Sequence, residues 1–132
     1  MKQSNRQQPK STRTGLPSPK PETTASFLNF VVLETDTLHT ALLAIERNVH
    51  RTVVVTNNDN IVVGVLSDGD ARMSLIDGRL LSTPVHRVMN PDFIAVGPDE
   101  HAKAKKILAQ GHIFVIPVVN SKGTLLEVLT NT

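Results

Sequence analysis

An α/β fold of two β-α-β-β-α repeats, related by a pseudo-twofold axis, is what this sequence predicts. Three observations carry that prediction. Shifted by 63 residues, the chain lies on itself without a gap, 29–67 falling on 92–130. Within each copy the apolar spacing changes from strand-like to helix-like and back. Polar turns, NNDN at 57–60 and NSKG at 120–123, stand at equivalent places. Identities between the copies are sparse (Phe30/Phe93, Asp36/Asp99, Ala41/Ala104, Val55/Val118, Asn57/Asn120, Val65/Val128, Leu66/Leu129). Residue class is kept at further positions, among them Val31 with Ile94, Ile45 with Leu108, and Ser67 with Thr130.

Each copy opens on a short apolar strand, Phe30–Leu33 or Phe93–Val96. Asp36 and Asp99 follow, placed to cap a helix by accepting from its free backbone N–H groups. The helices present Leu38, Ala41, Leu42 and Ile45, or Ala104, Ile107 and Leu108, on one face. An apolar strand comes next, Thr52–Thr56 or Phe114–Val119. The polar turn then leads into a second strand, Ile61–Leu66 or Thr124–Leu129. In the first copy Asp70–Ile76 reads as a closing helix, ended by Gly78. The second copy lacks that helix, because the counterpart of Asp70 falls one residue beyond Thr132. The expected division is an arm over 1–25, a first repeat over 26–80, and a C-terminally incomplete second repeat over 81–132.

Composition narrows the function classes. The 132 residues include no cysteine, which excludes disulfides and thiolate metal sites. No apolar stretch reaches the ~18 residues a membrane helix needs, and no secretory signal opens the chain. A cytoplasmic protein without a membrane partner is expected. Tryptophan and tyrosine are absent and phenylalanine occurs four times, too little aromatic surface for stacking on nucleic acid. The basic character resides in residues 1–25, where Lys2, Arg6, Lys10, Arg13 and Lys20 oppose Glu22 alone. The remainder is net acidic. The same segment holds Pro9, Pro17, Pro19 and Pro21 among Ser, Thr and Gln, a composition that buries too little apolar area to order its backbone. It reads as a disordered, solvated arm.

The stretch VLSDGDARM, 65–73, sets two aspartates around a glycine where a strand ends. As a metal site it is poor: carboxylates at i and i+2 of a helix start diverge. The histidines at 39, 50, 86, 101 and 112 show no paired ligand spacing, so no metal is expected. Lys103, Lys105 and Lys106 read as a solvated helix face. A purely structural reading has Ser67 capping the helix, with Asp68 and Asp70 favouring its positive end.

Two tandem units with Ser/Thr-x-x-Asp at the last strand–helix junction resemble a pair of CBS domains, from about residue 27 onward. The residues that carry this are Gly64-Val-Leu-Ser67-Asp-Gly-Asp70, His112-Ile-Phe-Val-Ile-Pro117-Val-Val and Pro84-Val-His-Arg-Val-Met89-Asn. SDGDARM followed by STPVHRVMNPD is similar to the paired modules joined to sugar-phosphate nucleotidyltransferases and sugar-phosphate isomerases. Those modules read T-D-G-D-I-R-R, from which Ser67, Ala71 and Met73 depart. No nucleotidyltransferase signature or isomerase body accompanies them, so catalytic activity and catalytic residues do not carry over.

The resemblance implies a regulatory, ligand-sensing module that binds an adenine nucleotide between the repeats. AMP, ADP, ATP and S-adenosylmethionine are the candidates. It places Asp70 on the ribose hydroxyls, Ser67 near a phosphate or the ribose, and Arg72 against phosphate charge. It builds the base slot from Asn90, Pro91, Asp92 and Ile113. The alternatives are a ligand-free dimerisation scaffold, or the N-terminal regulatory part of a sugar-phosphate nucleotidyltransferase. At most one competent site is expected, since Glu127 stands where the first copy has Gly64. A homodimer is expected too, because Leu126, Val128 and Leu129 lack the cover of a closing helix.

Overall fold

The computed structural model describes residues 29–131, and the arm expected over 1–25 lies outside them. The elements run β1 (Val31–Leu33), α1 (Leu38–Asn48), β2 (Thr52–Thr56), β3 (Val62–Ser67), α2 (Asp68–Ile76), a 3-10 turn (Val85–Arg87), α3 (His101–Ala109), β4 (Val115–Val119) and β5 (Leu125–Thr130). In the first sheet β2 lies between a parallel β1 and an antiparallel β3. In the second, β4 pairs antiparallel with β5.

The central strands explain the layering. β2 is β-branched at every position and buried throughout, as a strand covered on both faces must be. Alternation sends Val53 and Val55 into a core with Leu38, Ala41 and Ile45 of α1. It sends Val54 the other way, into a seam with Val62, Val115 and Leu125. β4 repeats the arrangement: Ile116 and Val118 meet Ala104 and Leu108 of α3, while Val115 enters the seam. The seam joins the two sheets.

The pseudo-twofold axis is visible in single bonds. Ile61 bridges Thr124, its own counterpart 63 residues on. The Val62 N–H donates to Gly123 O (3.0 Å) and the Leu125 N–H to Asn60 O (2.9 Å). A 63-residue shift turns either bond into the other. The turns feeding them match atom for atom. Asn57 Oδ1 accepts from the N–H groups of Asp59 (2.9 Å) and Ile61 (3.0 Å), and Asn120 Oδ1 from those of Lys122 (2.9 Å) and Thr124 (3.0 Å). Asn60 and Gly123 both take positive φ there, which these residue types tolerate best.

Several expectations need correction. Asp36 does not cap α1. The helix begins at Leu38, so the cap falls on Thr37, whose hydroxyl accepts from the Thr40 N–H (3.1 Å). Asp36 instead closes the preceding turn through the Leu33 N–H (2.9 Å). Asp99 caps nothing either; Glu100 precedes α3 and takes the Gly97 N–H (2.7 Å).

The strand expected over Phe93–Val96 shrinks to one bridge, Val96 with Val118. In the first half the Val54 N–H donates to Phe30 O and starts the parallel ladder (2.6 Å). Its counterpart is Pro117, which has no N–H to give. α2 starts earlier than expected, at Asp68, and the described residues hold no helix after β5. Val128 packs into the seam and Leu129 against the second core, which leaves Leu126 as the exposed member of that trio.

The connection between the halves is tied down along its length. The N–H groups of Leu38 and His39, orphans of a helix start, donate to Thr83 O (2.8 Å) and Leu81 O (3.0 Å). Val85 is fully buried, and its N–H reaches Asp36 O (2.7 Å). Asn90 then bonds Val65 of β3 in both directions, at 3.0 and 2.7 Å. Gly64 makes that approach possible, since a Cβ there would lie 2.8 Å from Met89 Sδ and 3.0 Å from Asn90 O. Gly64→Ala is therefore expected to destabilise the fold by roughly 1–3 kcal/mol, the usual range for overpacking. A denaturation midpoint equal to that of the parent would contradict this packing.

Candidate functional site

A cleft of about 520 Å³ lies between the halves. The start of β2, the end of β3 and the first turns of α2 form one wall. Asn90–Ile94 (except Pro91) and the residues leading into β4 form the other. Ser67, Asp70, Arg72, Asn90, Asp92 and Ile113 all line it, so six of the seven residues singled out from sequence share one cavity. Pro91 does not. It faces an adjacent hollow with Met73, Ser74 and Asp77, which shares Asp70 and Asn90 with the main cleft.

Ser67 is the N-cap of α2, and its hydroxyl accepts from the Asp70 N–H at 3.0 Å. A hydroxyl that accepts one bond still has its own proton to donate. The Asp70 carboxylate is exposed at the cleft and makes no hydrogen bond or ion pair among the described residues. Adjacent positions at a helix start do not share a face, so Asp68, next to Ser67, should point away from the cleft. It lines the cleft instead. Its carboxylate pairs with the guanidinium of Arg72, one helical turn on, and lies 3.9 Å from that of Arg51. The cause is the strand pairing below it: the Asp68 N–H donates to Arg51 O (2.7 Å), which fixes these two residues side by side.

Sequence reasoning missed Arg51 and Thr52 on the first wall, and Phe93, Ile94, His112 and Phe114 on the second. The 63-residue repeat carried the signal. It places Arg51 and Thr52 opposite Phe114 and Val115, so the start of β2 lines the cleft as the start of β4 does.

Arg51 arrives through an unusual backbone. Val49 and Arg51 have φ of 57° and 65°, the left-handed region that β-branched residues avoid. Asn48 holds the segment in place. Its buried side chain donates to Asn29 O (2.8 Å) and Thr52 O (2.9 Å), and accepts from the N–H groups of His50 (2.8 Å) and Arg51 (3.2 Å). Every polar atom of the amide is thereby used.

The second half does not reproduce this wall. Thr130 ends β5 where Ser67 ends β3, but Glu127 occupies the position of Gly64 and pairs with His101 at 2.9 Å. Among the described residues no group of three or more His, Asp or Glu side chains is arranged to hold a metal. No helix there is long and apolar enough to cross a membrane.

Comparison with known proteins agrees with the architecture. The CBS domain family matches residues 22–77. The crystallised CBS domains of a Streptococcus pneumoniae transcriptional regulator are 30% identical, with a TM-score of 0.64 over 77% of this chain and 82% of that one. The chain belongs to the CBS domain family. A CBS domain protein of Pyrobaculum aerophilum, PAE2072, solved with AMP, is 26% identical, with a TM-score of 0.61 over 76% of this chain and 79% of its own. The arabinose 5-phosphate isomerase GutQ of Salmonella typhi is 36% identical over 86 residues, which span 64% of this chain and only 27% of the isomerase. Of the two enzyme classes suggested by the sequence, this relative is the isomerase.

Because Asn48 satisfies the strained turn from both sides, Asn48→Ala is expected to cost roughly 2–3 kcal/mol through lost and orphaned hydrogen bonds. The loss should appear in the thermal midpoint, together with accelerated hydrogen exchange at His50 and Arg51. Exchange that stays at the parent rate would mean that Asn48 does not hold the turn.

Proposed function

We propose that the chain is a regulatory module that takes an adenine nucleotide into the cleft between its halves. The observation that carries this reading is the Asp70 carboxylate, unpaired among the described residues and set in the cleft opposite an apolar wall from the other half. A ribose offers that carboxylate two hydroxyl donors, and bonds to an ionised acceptor are the stronger kind. Ser67 donates its remaining proton beside it, to the ribose or to a phosphate. Arg51 and Arg72 face the phosphate. Ile113, with Asn90 and Asp92, borders the base, and Pro91 backs Asn90 from the adjacent hollow. Capping and the helix's positive end account for Ser67 and for a carboxylate at Asp70, but leave that carboxylate without a hydrogen-bond partner among the described residues, which a ribose would supply. The AMP-bound relative supports the same ligand class.

In this reading residues 26–80 and 81–132 act as the two halves of a sensor. A ligand that touches both halves stabilises the arrangement in which they close on it, and so shifts the population of arrangements. The isomerase relatives favour a sugar-phosphate enzyme as what is regulated. We also place the module in a homodimer, with exposed apolar residues such as Met73, Ile76 and Leu126 available for contact.

Thermal-shift measurements with AMP, ADP, ATP and S-adenosylmethionine test the proposal, because a ligand of the native state raises apparent stability by mass action. At least one should raise the midpoint. Asp70→Ala should weaken that ligand about tenfold or more while leaving the unliganded midpoint close to the parent's. No response to any of the four at millimolar concentration, an affinity floor far weaker than usual for sensors, would refute the reading.

A further inference from the structure

Asp68 does something in the cleft that capping does not require, because Ser67 already supplies the cap bond of α2. Two cations from different elements converge on its carboxylate. Arg72 comes from α2, and Arg51 from the strained turn before β2. The guanidinium groups are largely solvated, with side-chain exposures of 61% and 72%, whereas Asp68 is 29% exposed between them. Its backbone bond to Arg51 O keeps it there whatever the side chains do. Ion pairs between such exposed groups are weak and exchangeable. The arginines are therefore held in place without being fully neutralised.

The charge count of the cleft follows. Its lining holds Arg51 and Arg72 against Asp68, Asp70 and Asp92. A phosphate that enters must share both arginines with the Asp68 carboxylate. One phosphate, carrying about −1.5 to −2, meets two cations across that resident anion. Each further phosphate adds negative charge to a lining that, among the described residues, holds no further arginine or lysine and only His112 as another basic side chain. Its repulsion by Asp68 and its neighbours is then uncompensated.

The geometry points to Asp68 as a specificity-determining residue, an internal anion that occupies the arginine pair and restricts the site to nucleoside monophosphates over their di- and triphosphates. This inference rests on the reading that the cleft takes a nucleotide, and it adds which phosphorylation state is selected and by which side chain. Asp68 acts by competition for Arg51 and Arg72, a different role from that of Asp70, which holds the sugar.

Calorimetric titration of the full chain with adenosine, AMP and ATP, in parent, Asp68→Asn and Arg51→Gln proteins, tests it. The parent should bind AMP more tightly than ATP. Asp68→Asn should raise ATP affinity relative to AMP by about fivefold or more, an effect the size of a well-formed exposed ion pair. Arg51→Gln should shrink the preference for AMP over adenosine while adenosine still binds, and it carries the test should Asp68→Asn fail to fold. An AMP-to-ATP ratio unmoved by Asp68→Asn, or a parent that prefers ATP, overturns the selector role and leaves the nucleotide site standing. An unmoved AMP-to-adenosine ratio in Arg51→Gln likewise overturns it. No binding of any of the three by the parent overturns the selector role, and with no response to ADP or S-adenosylmethionine either it overturns both.

Discussion

The reciprocal bonds between Val65 and Asn90, closed over the bare backbone of Gly64, are the constraint on which the cleft depends. They fasten the end of the connection to β3 of the first half. From that point the chain runs on through Asp92, Phe93 and Ile94, which line the cleft. Val85, buried between α1 and the first sheet, anchors the other end of the connection. The opposing wall is thus positioned by backbone hydrogen bonds and close packing, which tolerate little displacement.

The pseudo-twofold symmetry would by itself produce two equivalent clefts. Three substitutions between the copies break that equivalence. Glu127 replaces the glycine and joins His101 where the first copy receives the connection. Pro117 removes the N–H that begins the parallel ladder of the first half, so the 93–96 segment stays free of strand pairing except at Val96. Phe114 takes the place of Arg51, an apolar ring for a cation. The hollow lined by Val49, His50, Arg51 and Phe114, which corresponds to the main cleft under the repeat, measures only about 300 Å³. The 93–96 segment also serves the main cleft, since Phe93 and Ile94 line it, with Phe93 also packed against the seam.

Most of the fold was legible because its determinants are local or periodic. The register of 63 residues pairs Asn57 with Asn120, and the two side chains do make the same turn bonds. The apolar faces of α1 and α3 and the span of β2 follow from spacing alone. What escaped depends on partners distant in sequence. Asp36 looks like a cap until the true start of α1 is known. The Phe93–Val96 strand looks sound until one asks which residue across the sheet must donate to it and finds Pro117. Six site residues were legible through a motif and its neighbours. Arg51 was not, because it sits beside Asp68 only through strand pairing, in a backbone conformation that no propensity predicts for Val49 or Arg51. Asp68 itself was misjudged from helix geometry, where the strand pairing below it decides.

Amide chemical-shift mapping of the full chain during titration with AMP tests the central claim most directly, namely that one cleft built by both halves binds the nucleotide. The account predicts perturbations at Ser67–Asp70 and at Asn90, together with Ile113 across the cleft, saturating along a single isotherm. Perturbations confined to one half, or centred on the smaller hollow around Val49 and Phe114, would contradict it.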